Sequence, residues 1–372
     1  MKNLIKEEYP LLLSLITTLL FVAFGSAWLA DLSSTTFLLG IFTWLFVVIL
    51  LSAFAIVRHA ESLAILLGEP LGTLILTLSV IGVEVLMISA VMLAGKDNPT
   101  IARDTMFSVV MILLGGMTGV SLLVGGWLHH EQTYNLQGAN AYLAMIIPLA
   151  ALGLVLPNYT TTTSGPTLST FQSIFSIIMS CGIYAIFLAV QTSRHREYFI
   201  SPEENTEKNT DKESDLHGEH TTKSVTHHSI FLIAYILPLV LLAKQIAVPL
   251  DYGLRTLGAP SALGGFIVAI LILSPEAMSA VRAAIRNQLQ RSVNILLGSV
   301  LATISLTTPA VLSIGLIMNK TIHLGLDNVN SILLLLLLSV SVLTFSNNRT
   351  NVLLGAVHCL LFFAYMMLMF EN

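Results

Sequence analysis

Residues 71–84 read LGTLILTLSVIGVE, and residues 263–276 read LGGFIVAILILSPE. Each stretch is apolar, begins with a Leu-Gly pair and ends in a glutamate, and in both stretches the glycine precedes the glutamate by twelve positions. A charged side chain at bilayer depth costs at least a few kcal/mol, so its presence calls for a partner or a function. Two glutamates at equivalent positions, Glu84 and Glu276, therefore predict a functional pair inside a membrane.

The composition places most of the chain in lipid. Of the 372 residues, 55% are hydrophobic and 10% are charged, and the mean hydropathy is +0.83. These values lie far outside the range of soluble domains. The net charge of −4 gives no basic excess of the kind that binds nucleic acid. The composition therefore predicts an all-α polytopic membrane protein, in which each helix satisfies its own backbone hydrogen bonds.

Apolar runs divide the chain into membrane spans. A hydrocarbon core about 30 Å thick requires about 20 residues per helix. Eleven spans are predicted, at about 11–30, 36–57, 71–94, 104–128, 140–157, 167–191, 229–250, 262–284, 292–318, 329–345 and 350–370. If the N-terminus is inside, 12 of the 17 lysines and arginines fall in inside loops. This bias predicts a cytoplasmic N-terminus.

One polar segment, residues 192–228, interrupts the apolar pattern. Its many acidic residues predict a mobile cytoplasmic linker. It also contains His217, His220, His227 and His228, which leave metal binding or pH sensing open, although irregular spacing is a weak signal for a metal site. The predicted organisation is an N-terminal helix in 1–35, a first repeat in 36–191, the linker in 192–228 and a second repeat in 229–372.

The two halves that flank the linker resemble each other. Leu67-Gly68-Glu69-Pro70 matches Leu257-Gly258-Ala259-Pro260, shortly before each glutamate stretch. If the first helix stands apart, each half has five spans, and this odd number makes the second copy cross the membrane in the opposite sense. The sequence thus predicts one N-terminal helix plus two inverted five-helix repeats. Such repeats allow one central site to open alternately to each face.

Oxygen-bearing side chains accompany the two glutamates. The candidate cation and proton ligands are Glu84, Glu276, Thr77, Ser79, Ser274 and Ser279. Pro275 has no backbone N–H, so carbonyl oxygens one turn earlier are freed to face the site. Two carboxylates neutralise one Ca²⁺, and neutral oxygens complete its six to eight ligands. The alternative is a pair of protonated glutamic acids that hold helices together by hydrogen bonds.

Competition between cation and protons explains how such a site would work. Without a cation, the carboxylates are two desolvated like charges, which favours proton uptake. The cation and the protons therefore exclude each other from the same oxygens, and this exclusion is sufficient to couple their opposite movements. No cofactor is predicted, since the cation and H⁺ are transported substrates.

Three further polar residues are candidates for an ion path: Asp104, Asn294 and Glu69. Asp104 follows Arg103, so an interfacial ion pair is the alternative, and Glu69 precedes Pro70, where it would stabilise the first turn of a helix. His358 in the last span is interpreted as a buried histidine with satisfied hydrogen bonds rather than a proton relay.

Five segments carry a resemblance to a known family. They are residues 68–84 (GEPLGTLILTLSVIGVE), 156–160 (LPNYT), 165–170 (GPTLST), 270–282 (ILILSPEAMSAVR) and 286–294 (RNQLQRSVN). These segments resemble the motifs of ChaA-type bacterial calcium/proton antiporters, which belong to the calcium/cation antiporter superfamily. The resemblance runs from about residue 60 to the C-terminus, apart from the linker.

The resemblance implies an eleven-helix cation/proton exchanger of the bacterial inner membrane, with Glu84 and Glu276 at the cation and proton site. The exported ion would be Ca²⁺ and, in some members, Na⁺ or K⁺. In the plant and fungal vacuolar branch a Gly-Asn pair shortly precedes each glutamate, whereas this chain has Val80-Ile81 and Ile272-Leu273. The loss of two amide oxygens leaves ion selectivity open.

Other function classes fit the sequence less well. The nearest alternative is a Na⁺/H⁺ or K⁺/H⁺ antiporter that uses the same glutamates. A passive channel usually builds its ring of charges from several subunits, whereas this chain carries both carboxylates itself. No His-Glu-x-x-His or nucleophile-elbow motif supports an intramembrane enzyme. The predicted partners are the lipid bilayer, cations and protons, with a homo-oligomer left open and no nucleic acid.

Overall fold

The computed structural model describes residues 7–68, 71–94, 99–200 and 223–371. This part of the chain contains eleven apolar helices: α1 (Tyr9–Trp28), α2 (Thr35–Leu67), α3 (Leu71–Ala94), α4 (Ile101–His129), α5 (Leu136–Asn158), α6 (Thr170–Ala189), α7 (Val225–Leu257), α8 (Ala262–Ile285), α9 (Leu289–Met318), α10 (Asn328–Thr344) and α11 (Val352–Glu371). Ten are long and apolar enough to cross a membrane, and α10 is a shorter apolar helix. The predicted all-α polytopic fold is confirmed.

Four of the helices contain π-helical turns. These turns are Met111–Met117 in α4, Ala151–Val155 in α5, Val190–Arg194 at the end of α6 and Thr303–Thr307 in α9. Short 3₁₀ turns follow at Leu156–Asn158 and Arg196–Phe199. Two strands, β1 (Gln132–Thr133) and β2 (Arg349–Thr350), form a small antiparallel pair in which Gln132 lies opposite Thr350.

The helices of the two halves match in length. Helices α2 and α7 have 33 residues each, and α3 and α8 have 24 each. Helices α4 and α9 have 29 and 30 residues, and each contains a π-helical turn. These matches accord with the predicted repeat, while its inverted relation and the boundaries at 35, 191 and 228 stay predictions.

Two helices are longer than the sequence predicted. Helix α2 continues ten residues beyond the predicted end at 57, because no helix-breaking residue intervenes before Gly68, whose positive φ of 62° ends it. Helix α7 begins at Val225, inside the predicted linker, where Ser224 caps it by accepting a hydrogen bond from the His227 N–H. His217 and His220 lie outside the described residues.

The first residues of the predicted linker are also structured. The 3₁₀ turn Arg196–Phe199 follows α6, and the Phe199 side chain is buried. The Glu197 carbonyl accepts a hydrogen bond from Asn135 Nδ2 at 3.0 Å, at the start of α5. Residues 192–200 and 223–228 of the predicted linker therefore have defined structure.

Loops predicted on the same side of the membrane meet in the structure. At one end, the His323 N–H donates to the Pro99 carbonyl, and the Leu324 N–H donates to the Pro166 carbonyl, both at 3.0 Å. At the other end, β1 pairs with β2, and Gln132 Nε2 donates to the Ala284 carbonyl at 2.9 Å. The predicted alternation of loops is thus reproduced. We call the end with β1 and β2 the inner end.

His358 has its hydrogen bonds satisfied in the core, as the sequence interpretation held. Its Nδ1 donates to the Leu114 carbonyl at 2.6 Å, and its Nε2 accepts from Thr344 Oγ1 at 2.9 Å. Leu114 lies in the π-helical turn of α4, where carbonyl groups lose their regular helical donors. His358 therefore stabilises this turn.

Helix α8 packs closely against α4 at Gly265. A Cβ atom at this position would lie 2.7 Å from the Asp104 carbonyl carbon and 2.7 Å from the Thr105 nitrogen. Both are backbone atoms, so relief requires a helix to move rather than a side chain to rotate. Gly265 thus sets the distance between the helix that carries Glu276 and its neighbour.

We expect Gly265→Ala to destabilise the protein by about 1–3 kcal/mol, because it overpacks this contact. The measurement is the temperature at which half of the detergent-solubilised protein loses its monodisperse elution profile. Gly182→Ala is the matched control, because a Cβ atom there meets nothing within 4 Å. Equal temperatures for the two variants would contradict the close α4–α8 contact.

Candidate functional site

The two glutamates occupy equivalent places in matching helices. Glu84 is the fourteenth residue of α3, and Glu276 is the fifteenth of α8. Glu84 is only 3% exposed, and Glu276 is half-buried. The two carboxyl groups lie close enough to interact electrostatically with each other, and both interact with the buried Tyr184 hydroxyl group of α6. The structure therefore brings together the pair that the sequence predicted.

Helix α9 supplies side chains that the sequence analysis missed. Ser299 Oγ donates a hydrogen bond of 2.6 Å to Glu276 Oε2. Thr303 lies one turn further along the helix and faces the Glu84 carboxyl group. It begins the π-helical turn Thr303–Thr307, which packs against α3 and α6. One helix therefore contacts both carboxyl groups.

A sequence signal for these residues was present. Ser299, Thr303 and Thr307 recur every four residues in a run that is otherwise mostly apolar, so a regular helix would place them on one face. The comparison of the two glutamate stretches did not extend to these residues, because none of the three is charged.

Three buried oxygen atoms near the site lack hydrogen-bond partners among the described residues: Glu84 Oε1, Thr303 Oγ1 and Thr307 Oγ1. A buried polar atom without a partner costs about 1–3 kcal/mol. Oxygen atoms of carboxylates and hydroxyls are the ligands that hard cations take. In the described part of the chain, no three His, Cys, Asp or Glu residues converge as a metal site.

The predicted neutral ligands lie on the same two helices but do not contact the carboxyl groups by hydrogen bonds in the described structure. Thr77, Ser79, Ser274 and Ser279 are all half-buried. Ser274 Oγ donates instead to the Ile270 carbonyl of its own helix. Pro275 lies inside α8 and leaves the Leu271 carbonyl without its regular helical donor. The role of these residues as ligands stays a prediction.

The candidates for an ion path have structural partners where they are described. Asp104 is buried in an ion pair with Arg103 at 2.8 Å and accepts from Thr100 Oγ1 at 2.9 Å. Arg103 Nη1 also donates to the Gly325 carbonyl at 3.0 Å. The ion-pair alternative for Asp104 is therefore observed.

Asn294 connects α9 to the turn after α6. Its Nδ2 donates to the Phe199 carbonyl at 2.7 Å, and its Oδ1 accepts from Gln290 Nε2 at 2.9 Å. Glu69 lies outside the described residues. A role of these residues in an ion path stays a prediction.

Known proteins resemble this chain over nearly its whole length. Residues 37–193 and 227–371 match the family described as sodium/calcium exchanger protein. The sodium-potassium/proton antiporter ChaA of Escherichia coli (strain K12) is 41% identical over 322 residues, which cover 87% of this chain and 86% of that protein. A putative ionic transporter, y4hA, of Sinorhizobium fredii (strain NBRC 101917 / NGR234) is 39% identical and covers 85% of each chain.

Solved structures share the fold. Native YfkE superposes with a TM-score of 0.72 at 18% identity and covers 97% of this chain and 99% of its own. The H⁺/Ca²⁺ exchanger CAX gives a TM-score of 0.65 at 17% identity and covers 97% of this chain and 88% of its own. At these identities the likeness concerns the fold alone.

We expect Ser299→Ala to weaken cation binding about tenfold, because a hydrogen bond to a charged group contributes about 1.5–3 kcal/mol and this one stabilises the ionised form of Glu276. The measurement is binding of radiolabelled Ca²⁺ to the purified protein at fixed pH, with Na⁺ and K⁺ as competitors. Ser339→Ala is the control, because Ser339 is exposed and donates to its own helix. Equal affinities of the two variants would contradict a role for Ser299.

Proposed function

The chain belongs to the sodium/calcium exchanger protein family, and we propose that it exchanges Ca²⁺ for H⁺ by alternating access at Glu84 and Glu276, expelling the cation from the cytoplasm. As a cation exchanger of this family it is a secondary transporter and not an enzyme. One observation carries the proposal. Two glutamates from matching helices lie close to each other and to hydroxyl oxygens that have no hydrogen-bond partner among the described residues.

Charge balance explains why the site holds either the cation or protons. Two ionised carboxylates in a medium of low dielectric constant repel each other strongly, and each is costly to bury alone. A single Ca²⁺ cancels both charges, and its remaining ligands are available from hydroxyl groups such as those of Thr303 and Thr307. Two protons cancel the same charges. The site is therefore stable when loaded with either substrate and unstable when empty.

The instability of the empty site couples the movement of the cation to the movement of protons. A site that moves across the membrane only when its charge is cancelled carries the cation in one direction and protons in the other. Ser299 holds the Glu276 carboxylate in place through its 2.6 Å hydrogen bond. Glu84 Oε1 has no such donor among the described residues, so Glu84 is the carboxyl group that is free to meet the incoming ion.

The second candidate is a Na⁺/H⁺ or K⁺/H⁺ antiporter at the same site. The ChaA relative, whose name specifies sodium, potassium and protons, favours it. A monovalent ion needs only one ionised carboxylate, and the other glutamate would keep its proton throughout the cycle. The two candidates thus differ in how many glutamates change protonation.

We expect Ca²⁺ to dissipate an imposed pH gradient in everted membrane vesicles that contain the wild-type protein, and Glu84→Gln and Glu276→Gln to abolish this response. Glutamine keeps the shape of glutamate but neither carries the charge nor takes up the proton. The measurement is the recovery of a pH-sensitive dye after separate additions of Ca²⁺, Na⁺ and K⁺.

Glu131→Gln is the control for these variants. Glu131 is an exposed carboxylate that pairs with Arg349 at 2.9 Å on the surface, so its loss leaves the site unchanged. A response to Na⁺ or K⁺ alone would favour the second candidate. Normal exchange by either glutamate variant would refute the mechanism.

The protein is a multi-pass membrane protein, and we place it in the bacterial inner membrane with a cytoplasmic N-terminus. The positive charge of the inner loops supports this orientation. The lipid bilayer and the transported cations are its partners, and a homo-oligomer remains open.

The orientation predicts a clear labelling pattern. On a background without Cys181 and Cys359, Tyr159→Cys should react with an impermeant maleimide added to intact spheroplasts, and Glu131→Cys should react only after lysis. Both residues are exposed, at opposite ends of the molecule. The reverse pattern would place the N-terminus outside.

A further inference from the structure

A cluster of titratable side chains joins three helices at the inner end, far along the chain from the two glutamates of the site. We call it the inner histidine cluster and define it as Glu8, Arg58, His59, His227, His228 and Tyr235. Glu8 directly precedes α1, Arg58 and His59 lie in α2, and the other three lie in α7. The family site does not use any of these residues.

Glu8 is the centre of the cluster. The carboxyl group is 7% exposed, and its Oε2 accepts hydrogen bonds from Arg58 Nη2 at 2.8 Å and from the Tyr235 hydroxyl at 2.9 Å. The same oxygen lies 3.3 Å from His59 Nε2. Tyr235 in turn accepts from the Leu11 N–H at 3.1 Å. These contacts tie the start of α1 to both α2 and α7.

The contact between two histidines limits the number of protons in the cluster. His59 Nδ1 lies 2.9 Å from His228 Nδ1, and His59 is only 1% exposed. One nitrogen must carry the proton and the other must accept it, whichever tautomers are present. If both rings are charged, both nitrogens carry protons and this hydrogen bond is lost. Two positive rings would then face each other beside Arg58.

We infer that the inner histidine cluster is a pH-dependent latch, which holds α1 against α2 and α7 while at most one of His59 and His228 is charged and opens when both are. The latch responds to the pH on the inner side. The response follows from the geometry. The two Nδ1 atoms lie within hydrogen-bond distance, so no second proton fits between them.

The charged groups around the pair act in two directions. The Glu8 carboxylate, whose Oε2 lies 3.3 Å from His59 Nε2, favours a first proton on the pair, whereas the positive groups oppose a second. Lys223 and Arg58 carry positive charges near the rings, which oppose a second proton on the histidines. Lys223 also forms an ion pair with Glu7, and its ammonium group holds the pKa of that carboxyl below its ordinary value. Glu7 therefore stays ionised through the histidine range and cannot cause the transition.

His227 and Tyr235 complete the surroundings. His227 packs on Phe231 with ring centroids 4.5 Å apart, and its Nε2, like that of His228, is buried without a hydrogen-bond partner among the described residues. Unpartnered acceptor nitrogens fit neutral rings, because an added N–H there would be buried without an acceptor. The closed latch therefore fits neutral rings on His227 and His228.

Helix packing connects the latch to the site. Helices α2 and α7 pack along each other, and both pack against α3, which carries Glu84. Opening the latch removes the connection between α2 and α7 through Glu8 and frees α1. This effect on exchange rests on the proposed function, whereas the latch itself does not.

The test measures the distance between α1 and α7 directly. Nitroxide labels are attached at Leu12→Cys and Ile230→Cys, both exposed positions near the cluster, on the background without Cys181 and Cys359 and in lipid nanodiscs. Pulsed electron double resonance is recorded at about pH 8 and about pH 4, because burial and the neighbouring positive charges shift uptake of the second proton below the ordinary histidine range. We expect a longer and broader distance distribution at the lower pH for the wild-type latch.

The variants identify the group that titrates. His228→Gln keeps a hydrogen-bonding side chain but cannot take up the second proton, so its distance should not change with pH. His59→Gln tests the same contact from α2 in case the first variant folds poorly. His130→Asn, at an exposed inner histidine, should behave as the wild type. An unchanged wild-type distance, or a pH response that persists in both glutamine variants, would overturn the latch.

The exchange assay gives a second, separable result. With the pH varied on the inner face, wild-type exchange should fall several-fold below the histidine range, and His228→Gln should keep its neutral-pH rate. If no cation elicits exchange at any pH, the proposed function fails while the distance measurement still decides the latch. If exchange is normal and His228→Gln shows the wild-type pH profile, the coupling of the latch to transport is refuted.

Discussion

The structure depends on the burial of two carboxyl groups next to each other at membrane depth. A buried carboxylate is costly unless a positive charge or hydrogen bonds compensate it, and two neighbouring carboxylates repel each other as well. Helix α9 meets part of this requirement for both residues. Ser299 donates a hydrogen bond to Glu276, and the Thr303 hydroxyl, which has no hydrogen-bond partner among the described residues, faces Glu84. Under the proposed function, the site therefore selects its contents by charge.

Buried polar residues differ in how completely their hydrogen bonds are satisfied. Asp104 has an arginine and a threonine as partners, and His358 uses both ring nitrogens. These hydrogen bonds connect loops and turns. Glu84 is as deeply buried, but its Oε1 has no hydrogen-bond partner among the described residues. The proposed role of Glu84 rests on this incomplete set of hydrogen bonds together with its position beside Glu276.

The sequence predicts the eleven helices and the glutamate pair because both depend on local signals. Apolar runs of bilayer length are read from composition, and the spacing of Gly72 and Glu84 repeats at Gly264 and Glu276. Local signals do not identify Ser299, because its contact with Glu276 joins residues 23 positions apart on different helices. The His59–His228 contact spans 169 positions. The hydropathy of one helix does not indicate which face meets another helix.

The helices differ so much in length that they cannot all match one bilayer thickness without tilting, extending beyond the hydrocarbon core or deforming the bilayer. Helix α10 has 17 residues, or about 25 Å, which is less than a typical hydrocarbon core of about 30 Å. Helices α2 and α7, at 33 residues or about 50 Å, extend well beyond it. Hydrophobic mismatch of this kind costs a fraction of a kcal/mol per Å, and lipids with shorter chains relieve it beside α10. The acyl-chain length of the surrounding lipids therefore changes the free energy of the protein in the membrane, although no lipid need occupy a defined binding site.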